Sequence, residues 1–215
     1  MTLSLPIFPL AGPALFPHCA APLHIFEPRY RTMVADAIAG DRRIGMATVR
    51  SEALSEMAGD PPVFAIGCAG FIAEHQRLAD GRYLITLQAT SRFRIVSESP
   101  RPADRLYRVA EVELLGEEVG DAARARAQRD ELVRELRALL GDVNAERGLD
   151  LARIEQLELG RFVGEVCQAL RLPGPEKQAL LEATTTEERV ERLTQTLSFY
   201  RSLRSASSSR NGTVH

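Results

Sequence analysis

The sequence has no tryptophan, only 6% aromatic residues, three cysteines, and a single lysine, Lys177, among 27 basic residues. Each shortage removes a class of function. With few rings, a stacking platform for bases or sugars lacks its material. Cys19, Cys68 and Cys167 are odd in number and far apart. No disulfide framework follows, and a reducing, cytoplasmic setting is expected. A phosphate-cradling loop needs glycines followed by lysine at a helix start, and Lys177 instead follows Pro175-Glu176, which excludes nucleotide hydrolysis through that motif. The same lysine would have to serve any Ser-Lys peptidase dyad. Its place on an amphipathic stretch after Pro173-Gly174-Pro175 reads instead as a solvated surface charge. No run approaches the ~20 apolar residues that cross a bilayer, and the stretch from Met1 to Pro6 lacks the basic and apolar regions of a signal peptide. A net charge of -2 gives no global positive field to draw in nucleic acid or anionic lipid.

What is present is ordinary globular material: 215 residues, 45% hydrophobic and 26% charged. Composition changes near residue 116. Ten of the twelve prolines lie at or before Pro102, where the apolar pattern is short and broken. Arg43 to Val49, Val63 to Ala73, Tyr83 to Leu87, Phe93 to Val96 and Tyr107 to Leu115 read as strands, and Asp80-Gly81 as a two-residue hairpin with both positions at positive φ. One helix interrupts them, with Pro28 at its first position and an apolar stripe of Tyr30, Met33, Val34, Ala37 and Ile38. Many short strands with frequent proline and glycine predict a small, closed or nearly closed barrel.

From about residue 121 the period becomes helical. Leu132, Val133, Leu136, Leu139 and Leu140 form one stripe ended by Gly141, and Leu159, Phe162, Val163, Val166, Cys167 and Leu170 a second. Glu176 to Ala183 gives a short third helix. Thr185 with Glu188 has capping-box spacing ahead of a fourth carrying Val190, Leu193, Leu197 and Tyr200. The expected fold is α+β: residues 1–116 a barrel with one inserted helix, 117–204 a helical bundle, and 205–215 a disordered polar tail.

Few residues assemble into chemistry. His18, Cys19 and His24 are the only cluster that suggests a metal, but no structural-zinc spacing or fourth ligand accompanies them. Gly67-Cys68-Ala69-Gly70 lies inside an apolar strand without flanking Lys or Arg, so the glycines read as strand-bending rather than phosphate-clamping. Arg92-Phe93-Arg94 puts two arginines on one strand face, read as solvated, and a buried Phe93 on the other. Glu117-Glu118 and Glu187-Glu188 fall where helix N-termini favour acid. No nucleophile, base and orienter come together, so no catalysis, cofactor or metal is expected.

A longer text is nonetheless legible. Leu5-Pro6-Ile7-Phe8-Pro9-Leu10, then Leu15-Phe16-Pro17, then Pro22-Leu23-His24-Ile25-Phe26-Glu27-Pro28-Arg29-Tyr30-Arg31 resembles the opening of the Lon protease N-terminal, substrate-binding domain. Asp80-Gly81-Arg82-Tyr83, Arg92 to Ile95, Leu172-Pro173 to Lys177-Gln178-Ala179-Leu180-Leu181-Glu182, and Arg189 to Leu193 resemble its later segments, so the likeness runs from about residue 5 to 200. The resemblance implies a PUA-like β-barrel followed by a helical bundle, without the ATPase and peptidase modules, as in a stand-alone domain protein. It also implies a non-catalytic module that binds unfolded or damaged polypeptide, with a protease or chaperone as a further partner. An RNA-binding PUA-like module is the alternative, disfavoured by the acidic balance. The prolines read as turns and strand entries, and Leu23, Ile25 and Phe26 as barrel wall, with Glu27 reaching Arg31 one helical turn on. That leaves Phe16, Glu27, Arg29, Tyr30 and Arg31 as the expected substrate-binding residues.

Overall fold

The computed structural model describes residues 2–12, 14–102, 104–116, 122–140 and 150–211. In chain order they form β1 (Thr2–Leu10), β2 (Ala20–Ile25), α1 (Pro28–Ala39), β3 (Arg43–Thr48), a 3-10 turn (Ser51–Glu56), β4 (Ile66–Arg77), β5 (Tyr83–Glu98), β6 (Arg108–Leu115), α2 (Ala122–Leu140), α3 (Leu151–Ile154), α4 (Leu159–Ala169), α5 (Gly174–Glu182) and α6 (Thr186–Asn211). They divide into two compact units, one of residues 1–116 with 171–182 and one of 117–170 with 183–215.

In the first unit the strand order β2-β5-β4-β3-β1-β6, with a further β5–β6 pairing, closes five strands into a barrel. β5 makes this possible by its length. Its first half, Tyr83 to Gln88, carries β2 on one side, and its second half, from Arg92 to Glu98, pairs with β6. β2 is therefore an edge strand appended to the barrel. Alternation in β1 turns Leu5 and Ile7 inward, where they meet Ala47, Ala69, Phe93, Ala110 and Val112 in one core cluster. Gly67 is required there by space: a Cβ would come within 2.5 Å of the Phe93 ring and 2.4 Å of the Met46 carbonyl oxygen. The strand-bending role of the glycine pair agrees with a register shift at Ala69/Gly70. Pro6 and Pro9 lie within β1 rather than at its entry.

The hairpin between β4 and β5 differs from expectation. Only Gly81 has positive φ (81°); the Gly81 amide donates to Leu78 O at 2.9 Å and the Leu78 amide to Arg82 O at 2.8 Å. This is a three-residue loop with glycine in the left-handed position, so Asp80 keeps an ordinary φ and uses its carboxylate instead, accepting from the Arg82 amide at 3.1 Å. That bond and the Arg82 guanidinium hold the Asp80 carboxyl below its ordinary range.

The segment 171–182, read from sequence as part of the bundle, groups with the barrel. Gln178 Nε2 of α5 donates to Ile66 O at 3.0 Å, and Arg92 Nη1 donates to Leu181 O at 3.1 Å. The arginine face of β5 is thereby covered at Arg92, which is buried rather than solvated. Lys177 is likewise buried at 3% exposure, not a surface charge, because this short helix is covered on more than one side, at Lys177, Gln178, Leu180 and Leu181.

The second unit is helical. Leu132, Val133 and Leu136 of α2, Phe162, Val163, Val166 and Cys167 of α4, and Val190, Leu193 and Leu197 of α6 supply its buried side chains. Asp150 caps α3 by accepting from the Arg153 amide at 3.0 Å. The cap ahead of α6 is as the spacing predicts: the Glu188 amide donates to Thr185 Oγ1 at 3.1 Å, while Glu188 reaches back to the Thr184 amide at 2.6 Å. α6 continues to Asn211, past the Ser205 where a tail was expected. Extending an existing helix is far easier than nucleating one, and no glycine or proline occurs between Thr186 and Gly212. Glu117-Glu118, Gly141 and the last four residues lie outside the described residues.

Candidate functional site

The five residues expected to bind substrate do not form one surface. Phe16 is fully buried, and Tyr30 is 4% exposed, its ring 4.4 Å from that of Phe8. Both are core side chains, which removes them from any apolar strip on the surface. Burial also raises the Tyr30 hydroxyl above its ordinary pKa. Arg29 turns to the 3-10 segment: its guanidinium donates to Gly59 O at 2.5 Å and to Met57 O, pairs with Glu27 at 2.9 Å and lies 4.5 Å over the Tyr30 ring. Glu27 therefore binds Arg29, not Arg31. The reason is directional: Glu27 precedes the helix in extended conformation (ψ 136°), so its side chain does not follow the helical one-turn spacing. A shallow depression of about 400 Å³ does open here, yet its charged groups are matched, Glu27 to Arg29 and Asp60 to Arg101 at 2.6 Å. Arg31 lies on another side, packed against Gly81 so closely that a Cβ there would sit 2.1 Å from its Nη2.

The suspected metal cluster is not assembled either. His18 occupies a left-handed turn (φ 67°), Cys19 is buried and His24 is exposed. Among the described residues, no group of three or more His, Cys, Asp or Glu is placed to hold a metal ion.

A different surface carries three of the exposed large hydrophobic side chains. Registers across β2, β5 and β4 align His24 with Leu84 and Gln76, Pro22 with Thr86 and Glu74, and Ala20 with Gln88 and Phe71. These rows face away from Ile25, Ile85, Leu87 and Ile72, which are buried. On this outer face Leu84 is 43% and Phe71 41% exposed, and Phe26, just past β2, is 60% exposed with its ring 6.0 Å from His24. Phe26 was expected in the barrel wall. Strand alternation puts Ile25 there and its neighbour outside. Pro22, His24, Glu74, Gln76, Leu84 and Thr86 line a groove of about 530 Å³ on this face. The signal was in the sequence: in Tyr83-Leu84-Ile85-Thr86-Leu87 the inward phase is filled by Tyr83, Ile85 and Leu87, so Leu84 is an apolar residue in the phase that a solvated face leaves to polar ones. Such a surface can hold an apolar partner by contact.

The model of the ATP-dependent protease La (LON) substrate-binding domain matches residues 4–198. The chain belongs to that family. A Lon protease of Azorhizobium caulinodans is 27% identical over 191 residues, covering 87% of this chain and 22% of that protein. Lon protease 1 of Thermus thermophilus is 24% identical over 208 residues, covering 90% and 24%. The chain thus spans under a quarter of the length of these curated relatives. Two solved structures share the fold. The Lon N-terminal domain protein of Xanthomonas campestris aligns at TM-score 0.64 with 22% identity, over 89% of this chain and 96% of that one. The N-terminal domain of Mycobacterium avium complex Lon protease aligns at TM-score 0.71 with 19% identity, over 91% and 98%. The family match covers the substrate-binding domain alone, and no helix among the described residues is long and apolar enough to cross a membrane.

Proposed function

We propose that this domain binds unfolded or partly unfolded polypeptide without catalysis, through the outer face of β2, β5 and β4. The observation that carries this reading is the presence of Phe26, Leu84 and Phe71, all exposed, on one sheet face of a chain from the Lon substrate-binding family. Exposed apolar side chains grouped on one face and bordered by polar ones are a surface suited to the hydrophobic side chains of an extended chain. The edge backbone of β2 is a weaker attraction. Pro22 stands in register with Thr86 and has no N–H, which blunts strand addition along that edge. Recognition is therefore by side-chain contact across the face.

A groove of this size buries less than a standard interface, which sets affinity at micromolar or weaker, on the order of -8 kcal/mol at best. The test is fluorescence anisotropy with a denatured protein fragment and an RNA oligomer, each at low and moderate salt. The polypeptide should bind with little salt dependence, and Leu84→Ser combined with Phe26→Ser should weaken it while the fold is retained. Binding of RNA alone, collapsing as salt rises, would replace this reading with the nucleic-acid one.

A further inference from the structure

The groove contains one side chain of formal charge. Glu74 accepts a hydrogen bond from Thr86 Oγ1 at 3.3 Å, which fixes its carboxylate on the outer face beside Pro22 and Leu84. It makes no ion pair with a cation among the described residues, and neither Lys nor Arg lines the groove. The nearest arginine along β4, Arg77, belongs to the next register row with Tyr83 and Ile25, and its guanidinium lies 5.9 Å from the Tyr83 ring. Tyr83 is buried, so that guanidinium is turned toward the opposite side of the sheet from Leu84. The remaining polar lining, His24, His75, Gln76 and Thr86, contributes no second carboxylate and no lysine or arginine.

From this charge pattern, and resting on the polypeptide reading above, we infer that Glu74 selects among apolar segments for those that carry a lysine or arginine beside the hydrophobic run, and against those that carry an acid. Apolar contact with Phe26, Leu84 and Phe71 supplies the binding common to all segments. The unmatched carboxylate at the groove wall supplies the difference. An exposed ion pair is worth little, so the preference is a modest one, about two- to fivefold per charge, and it shrinks with added salt. A carboxylate on the ligand meets the same group at close range and loses a similar factor.

The experiment uses the full chain and three labelled peptides with one apolar core, flanked by lysines, by glutamines or by glutamates, followed by anisotropy at low salt. The expected order is lysine over glutamine over glutamate, with about threefold between neighbours. In Glu74→Gln the lysine and glutamine peptides should bind alike, and in Glu74→Lys the order should reverse. Both variants are at an exposed position, and thermal unfolding verifies that each is folded. The glutamine peptide separates the two failures. If it does not bind the unaltered chain, the polypeptide reading itself falls. If it binds and the order is absent, or survives unchanged in Glu74→Gln, the polypeptide reading stands and the role of Glu74 is overturned.

Discussion

The first turn of α1 and the outer face of β2, β5 and β4 belong to the same unit, and both carry aromatic and charged residues near the N-terminal signature of the family. They differ in what those residues already touch. At the turn, Arg29 is held by Glu27, Met57 O and Gly59 O, Arg101 by Asp60, and Tyr30 is packed under the surface. On the sheet face, Phe26, Leu84 and Phe71 stand exposed, and among the described residues Glu74 is held by the Thr86 hydroxyl and no cation. A group whose partners are supplied by its own fold has little binding energy left for a ligand, because a ligand must first displace them. The signature turn is therefore structural in emphasis, and the plain strand beside it is the surface with capacity to spare.

The sharpest way to break this contrast is Phe16→Ala. A fully buried ring replaced by a methyl group should cost about 3–5 kcal/mol, read as a lower urea midpoint. A stable variant that had lost peptide binding would return Phe16 to the surface and to the ligand. Arg29→Ala comes next, at about 2 kcal/mol, since two carbonyls and a carboxylate lose a charged donor. Peptide affinity should stay unchanged under folding conditions. Arg29→Lys should recover only part of the stability, because an ammonium does not reproduce the planar fork. Loss of peptide binding at full stability would reverse the assignment of the two regions. On the sheet face the expectation is opposite: Leu84→Asp should shift stability within about 0.5 kcal/mol and weaken apolar peptides roughly tenfold, about 1.4 kcal/mol. If Leu84→Asp instead unfolds the chain and spares binding, the face is core and the comparison is lost.

Sequence made the architecture legible because its strongest signals are local. The Pro28 start and the Thr185–Glu188 cap appear in place, the turn falls at Gly81 though with three loop residues rather than two, and the break in period near residue 116 separates the strands from the helices that follow. The site was less legible because exposure depends on partners distant in the chain. Lys177 and Arg92 look solvated on their own elements, but α5 returns to the barrel after the intervening helices, a long-range event that no periodicity encodes. Phe26 looks like wall because it follows Leu23 and Ile25, and only the phase of β2 shows that it points outward. The signature motif drew attention to the turn because it is distinctive. Its distinctiveness records how a loop is clamped.

The smallest expected effect concerns a further tie that consumes the polar groups of α1. The Tyr107 hydroxyl donates to Asp36 Oδ2 at 2.8 Å, joining the helix to the approach to β6. Burial first, then the hydrogen bond and charge of Asp36, push the Tyr107 pKa from 10.0 up to about 12. The neutral phenol is the form that the fold favours. Its folded pKa lies above its unfolded one, so the folded state binds more protons than the unfolded state between about pH 10 and 12. The contribution of Tyr107 is thus fully present below pH 10 and declines as pH rises through about 12. Phenolate absorbance should show one tyrosine ionising late, and Tyr107→Phe should delete that late step. The same variant should make the alkaline loss of stability shallower in that window, with the remainder set by other groups, including the raised hydroxyl of Tyr30. Because Tyr107 is only half-buried and solvent screens its contacts, the change in stability should be slight, and the absorbance titration is the decisive reading. If the phenol deleted in Tyr107→Phe is one that ionises near pH 10, the Asp36 bond does not persist in solution, and α1 is less fully tied down than the contrast with the sheet face requires.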